Sequence, residues 1–170
     1  MSGRIAVPPT IVDLDLPLVF LAGPIQGTAD WQSLAIRTLQ READWLDIAS
    51  PRVGSWSEAD PSAFRRQIDW EHHYLDLAAG DGVTMFWLAN ETEHDCSRAY
   101  AQTSRFELGE AMMRHLWRGA HVVVGIDSKF PNARYLAYTL AKKAPLIPVF
   151  RTLEETCRRT IEIATFCACR

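Results

Sequence analysis

Short apolar runs alternate with amphipathic stretches of helical length from residue 18 almost to the end of the chain, and no other feature restricts the fold as tightly. Consecutive strands separated by a helix must pair in parallel, because a parallel neighbour is reached only through a crossover. The crossovers cover both faces of the sheet, so its strands read as continuous apolar runs. Residues 18–22 are such a run and end at Gly23-Pro24, a turn signal. In residues 31–43, Leu34, Ile36, Leu39 and Ala43 fall near helical spacing, with Asp30 as N-cap. Residues 45–49 read as a second strand stopped by Ser50-Pro51. Asp60-Pro61 opens a second helix with Phe64, Ile68, Leu75 and Ala78 on one face, ending near Gly80-Asp81-Gly82. A third strand over 83–88, a helix over 106–117, a strand over 121–126, a helix over 133–142 and a fifth strand over 146–150 follow, with a last helix from about Leu153. The expected fold is α/β: a single doubly wound, mainly parallel five-stranded sheet with helices on both faces, flavodoxin-like or Rossmann-like in plan.

The length of 170 residues suits one such domain. Its expected limits are an irregular lead-in over 1–17, rich in Pro and Asp, a domain over 18–165 and a frayed tail over 166–170. At 48% hydrophobic and 23% charged residues the chain is neither disordered nor fibrous. A net charge of −3 gives no field to attract a polyanion, so no nucleic-acid polymer is expected as a partner. Apolar runs fall far short of the roughly 20 residues that span a bilayer, and the N-terminus lacks the order of a signal peptide. No membrane association and a cytoplasmic location are therefore expected. Cys96, Cys157, Cys167 and Cys169 lack a second pair or a His at zinc spacing, so reduced thiols and no metal are expected.

In doubly wound sheets ligands bind outside the carboxyl ends of the strands. That rule selects the loops 23–31, 50–61, 89–104 and 127–132. The first of these loops, Gly23-Pro24-Ile25-Gln26-Gly27-Thr28, has neither the dinucleotide nor the nucleoside-triphosphate glycine pattern, and no Gly-x-Ser-x-Gly elbow exists anywhere. The 89–104 loop is long enough to be functional.

Carboxylates remain. Glu107, placed at the start of the third helix, would be held ionised by the helix terminus and could act as a nucleophile. The alternative is a Glu that only complements the helix dipole. Asp69 and Glu71 stand two residues apart on the second helix and point about 200° apart, so at most one faces the cleft of Glu107. A carboxylate pair in one apolar pocket splits its pKa values into nucleophile and acid, as glycosidic double displacement requires. Trp56, Trp70 and Trp87 lie near candidate loops and offer base platforms or core. His72-His73, Arg65-Arg66 and Arg158-Arg159 read as solvated helix faces.

Three segments together carry a resemblance: Val19-Phe20-Leu21-Ala22-Gly23-Pro24-Ile25, Phe64-Arg65-Arg66-Gln67-Ile68-Asp69-Trp70-Glu71 and Phe106-Glu107-Leu108-Gly109-Glu110-Ala111. They resemble the nucleoside 2-deoxyribosyltransferase superfamily, in its nucleoside 2-deoxyribosyltransferase-like branch, with 2'-deoxynucleoside 5'-phosphate N-hydrolases as relatives. The resemblance implies that Glu107 attacks C1' of the sugar and that Glu71, with Asp69 in reserve, orients the nucleophile or handles protons. It also implies that Gly23, Pro24, Ile25 and Gln26 line the sugar and base site. Phe20 stands where many relatives carry Tyr, and Ala101 where they carry Ser or Asp; Thr103 and Ser104 are the substitutes at hand. Phe20, Trp87, Asn90 and Ser104 complete the expected substrate-binding set.

The expected activity is cleavage of the N-glycosidic bond of a nucleoside or nucleoside 5'-monophosphate through a glycosyl–Glu107 intermediate, with no metal or organic cofactor. A homodimer or larger homo-oligomer is implied by the resemblance. Two alternatives use the same site: a hydrolase of an NAD-type N-glycoside, motivated by the long third loop, and a non-catalytic nucleotide sensor, motivated by Phe20 and Ala101.

Overall fold

A computed structural model describes residues 2–53 and 61–169; Trp56 and Asp60, singled out above, lie outside them. Its elements run β1 (Ile5–Ala6), β2 (Val19–Ala22), α1 (Trp31–Glu42), β3 (Ile48–Ala49), α2 (Pro61–Asp81), β4 (Val83–Leu88), α3 (Gln102–Arg118), β5 (His121–Ile126), α4 (Ala133–Lys143), β6 (Val149–Phe150) and α5 (Leu153–Ala168). The sheet order is β1-β3-β2-β4-β5-β6 and every pair is parallel. From β2 the chain steps outward to β3, then returns past β2 to β4. The order therefore reverses between β2 and β4, which opens a crevice at their carboxyl ends.

Side chains alternate across the central strands and build two cores. Val19, Leu21, Met85, Trp87 and Val123 pack against Trp31, Ala35 and Leu39 of α1 and Cys157 and Ala164 of α5. Phe20, Ala22, Phe86, Leu88 and Val124 face Trp70 and Tyr74 of α2, Leu108 and Ala111 of α3 and Leu140 of α4. The α5 helix lies so close to β5 that a Cβ on Gly125 would stand 2.2 Å from Thr156 Oγ1. Asp30 caps α1 as expected, its carboxylate accepting from Ser33 N at 3.0 Å.

Among the described residues six strands form where five were expected. The extra one, β1, falls in the lead-in, where two residues before a Pro-Pro pair carry no periodic signal. Tertiary contacts make it: Ile48 N donates to Arg4 O at 2.9 Å and Ser50 N to Ala6 O at 3.0 Å. The strands β3 and β6 are shorter than the apolar runs that predict them. Turns that close α1 and α4 use up the first residues of each run, with Leu46 N bonded to Ala43 O and Ile147 N to Ala144 O. Helix α5 continues through residues 166–168, which were expected to fray. Its Cys157 is fully buried and Cys167 lies within it, so of the four cysteines only Cys169 lies beyond its end at the chain terminus.

Candidate active site

A cavity of about 580 Å³ occupies the crevice at the switch point. Its floor is Phe20 and Ala22 from the end of β2; Gly23, Pro24, Ile25 and Gln26 from the following loop form one wall. The first turns of α2 supply Phe64, Gln67, Ile68 and Glu71, and the start of α3 supplies Ser104 and Glu107. Gly23 is required where it stands. Its φ of +145° and a would-be Cβ only 2.3 Å from Trp87 O exclude a side chain, so the backbone turns tightly off the sheet into the cavity wall.

The two carboxylates dominate the electrostatics. Burial pushes the Glu107 carboxyl up to about 8, and the negative charges of Glu71 and Glu110 add to the rise. Burial also raises Glu71, opposed by a hydrogen bond from Gln67 and by the nearby His72. Gln67 Nε2 donates to Glu71 Oε1 at 2.6 Å and to Pro51 O at 3.1 Å, which fixes that carboxylate from one turn away. Pushed up to about 8, Glu107 is the carboxyl of the two that carries a proton around neutral pH, with the charge of Glu71 adding to the effect of burial.

The expectation that a helix terminus keeps Glu107 ionised is wrong. Helix α3 starts at Gln102, not Phe106, so Glu107 lies in its second turn, where the terminal field has faded. Desolvation wins and the carboxyl is pushed up, not down. The helix begins early because Ala101 takes a left-handed conformation, φ 54°, that turns the 89–101 loop directly into it.

The remaining expected residues divide. Phe20, Gly23, Pro24, Ile25, Gln26, Glu71, Ser104 and Glu107 share the one cavity. Asp69 is exposed and outside the lining, on the opposite side of α2 from Glu71, as the 200° angle requires. Trp87 is corrected to core: strand alternation sends it to the α1/α5 face, 8% exposed, while Phe86 and Leu88 take the cavity side of the sheet. Asn90 is corrected to loop structure. Its carbonyl accepts from the Thr28 hydroxyl at 2.9 Å, and it does not line the cavity. Trp70 is also core, its indole N–H bonded to Thr10 O at 3.0 Å.

Three residues at or behind the cavity escape the sequence reading. Gln67 could have been found, because it stands four residues before Glu71 on one helix face. Arg98 gives no signal; it lines the cavity mouth, bonded to the side chain of Gln26 and paired with Asp95 at 3.3 Å. Arg52 gives none either and lies behind the first loop. The first and third loops also meet at Gly27, φ +75°, whose carbonyl accepts from Thr92 N at 2.8 Å.

Among the described residues no group of three His, Cys, Asp or Glu could hold a metal ion, and no helix is long and apolar enough to cross a membrane. A family model described as nucleoside 2-deoxyribosyltransferase like matches residues 17–129, which span β2 through β5 and every carboxylate of the cavity. No curated protein matches the chain.

Proposed function

The chain belongs to the nucleoside 2-deoxyribosyltransferase-like family, and from that premise we propose that it cleaves the N-glycosidic bond of a nucleoside or nucleoside 5'-monophosphate with Glu107 as nucleophile. The observation that carries this reading is that Glu107 and Glu71 line one cavity, each raised by burial, with the charge of Glu71 raising Glu107 further.

In the reacting form the proton that burial holds on Glu107 has passed to Glu71, and Glu107 is ionised. A Glu107 carboxylate oxygen bonds to C1' as the C1'–N bond breaks, and that electron pair leaves with the base. Glu71 gives its proton to the departing nitrogen, directly or through one water. In the second half, water or the N–H of another base attacks C1', Glu71 takes the proton released, and Glu107 leaves as carboxylate. Fixing C1' in line with Glu107 lowers the barrier by orientation, and Gly23 to Gln26 form the wall that holds it.

The test is chromatography of the common 2'-deoxynucleosides, ribonucleosides, their 5'-monophosphates and NAD after incubation with the protein, with and without a second free base. Release of base by the native chain and its loss in Glu107→Ala is the expected result. Undiminished release by Glu107→Ala would overturn the assignment.

A further inference from the structure

The wall formed by Pro24 to Gln26 has no regular structure of its own, yet its carbonyls are held from behind by a small set of side chains. Trp31 Nε1 donates to Pro24 O at 2.8 Å, and Gln32 Nε2 reaches the same oxygen at 3.4 Å. Gln32 is 1% exposed, and its own Oε1 accepts from Arg52 Nε at 3.0 Å. Arg52 then continues outward: its Nη2 lies 3.2 Å from Ile25 O and 3.4 Å from both Thr28 O and Ala29 O. Its Nε stands 3.2 Å from the Asp30 carboxylate that caps α1. One guanidinium, three residues beyond β3, thus gathers the whole turn between β2 and α1.

Partial negative charge from converging carbonyls would repel if left alone, and a planar fork with several N–H donors is the side chain that can satisfy them together. An ammonium carries the charge but lacks the spread. Arg52 does not line the cavity, so it can act only through the loop. We propose that Arg52 is a positioning residue of the reaction: it sets the Pro24–Gln26 wall that receives the sugar and base, and so governs how tightly substrate is held more than how fast the bond breaks. This inference rests on the N-glycosidase reading and deepens it.

The experiment compares the native chain with Arg52→Met and Arg52→Lys in two measurements. The first is base release from the same nucleoside, nucleotide and NAD panel. Arg52→Met should raise KM about tenfold or more while kcat stays within about threefold, the pattern of lost binding common to ground and transition states. Arg52→Lys should recover part of the loss, as should low-millimolar guanidinium added to Arg52→Met. A KM within about twofold of native in Arg52→Met, or a loss confined to kcat, overturns the proposal.

The second measurement is amide hydrogen exchange, which needs no substrate. Residues 24–32 should lose protection in Arg52→Met while β4 and β5 keep theirs. Unchanged exchange across 24–32 overturns the proposal whatever the assay shows. If the native chain releases no base from any member of the panel, the N-glycosidase reading fails, and the exchange result still decides whether Arg52 holds the loop. Should Arg52→Met not fold, Arg52→Lys carries both readouts, with a smaller KM rise and loss of protection expected in the same places.

Discussion

The side-chain amide of Gln67 donates a 2.6 Å hydrogen bond to Glu71 Oε1, one helical turn further along α2, and lowers Glu71 against the effect of burial. The bond stabilises the ionised carboxylate and fixes its rotamer. Without it Glu71 holds a proton more firmly and points less well. Gln67→Leu should therefore lower kcat by roughly tenfold to a hundredfold, with a smaller change in KM. It should also move the alkaline limb of the rate profile to higher pH. A native profile in this variant would mean that Gln67 plays no part in aiming Glu71.

The pH dependence follows from the raised Glu107 carboxyl. Glu107 is pushed up to about 8, and in the proposed mechanism the proton it carries is the one passed through Glu71 to the leaving base. Base release should therefore fall above about that pH, because the acid for the leaving base is gone. Glu71→Gln removes the like charge, which lowers Glu107, and removes the proton donor too. Its residual rate should be small, and it should rise with pH to a plateau, without the alkaline fall. Keeping a falling limb near pH 8 in Glu71→Gln would show that another group supplies the proton.

The raised carboxyl also costs stability in a predictable window. Glu107 binds its proton more tightly folded than unfolded, since its value moves from 4.5 to about 8. Between those values the folded chain holds more protons than the unfolded one, so stability from this group falls as pH rises. Glu107→Gln keeps the shape without the charge. Its Tm should match native at pH 4.5 and exceed it by several degrees at pH 8, where thermal unfolding is read by circular dichroism. Equal Tm differences at both pH values would contradict the burial of an ionising group there.

How much of this could be read from residues alone differs between levels. The central strands declare themselves because they are buried on both faces: Val83 to Leu88 and His121 to Ile126 are found with their observed limits. The edge strand β1 does not, since it exists through its pairing to β3 and through Asp47. Glu107 is legible as a candidate that proves to line the cavity, but its environment is not legible. A helix start misplaced from Gln102 to Phe106 reverses the sign of its pKa shift. Trp87 shows the same limit, because one step along a strand exchanges cavity for core. Side chains that act on backbone carbonyls, such as Arg52, leave no periodic trace, as the partners lie 23 to 27 residues away.

The last prediction concerns the other edge of the molecule. Asp47, just before β3, accepts from Arg4 N at 2.6 Å, from Arg4 Nη2 at 2.8 Å and from Asp15 N at 2.7 Å. These bonds and the Arg4 charge hold its carboxyl below the usual range despite the opposing effect of burial. A lowered folded value contributes stability above the ordinary carboxylate range, and that contribution is lost as pH falls through the folded value. Its sign is opposite to that of Glu107. Asp47→Ala leaves two backbone N–H groups and a guanidinium without their acceptor, which should cost about 2–4 kcal/mol at pH 7. The loss should shrink toward acid pH as the native carboxyl is protonated. Because β1 lies two strands from β2 and the cavity, base release per folded molecule should stay near native. Asp47→Asn, which keeps one acceptor oxygen without the charge, should lose less. A Tm for Asp47→Ala equal to native at pH 7 would show that the N-terminal segment is held by other means.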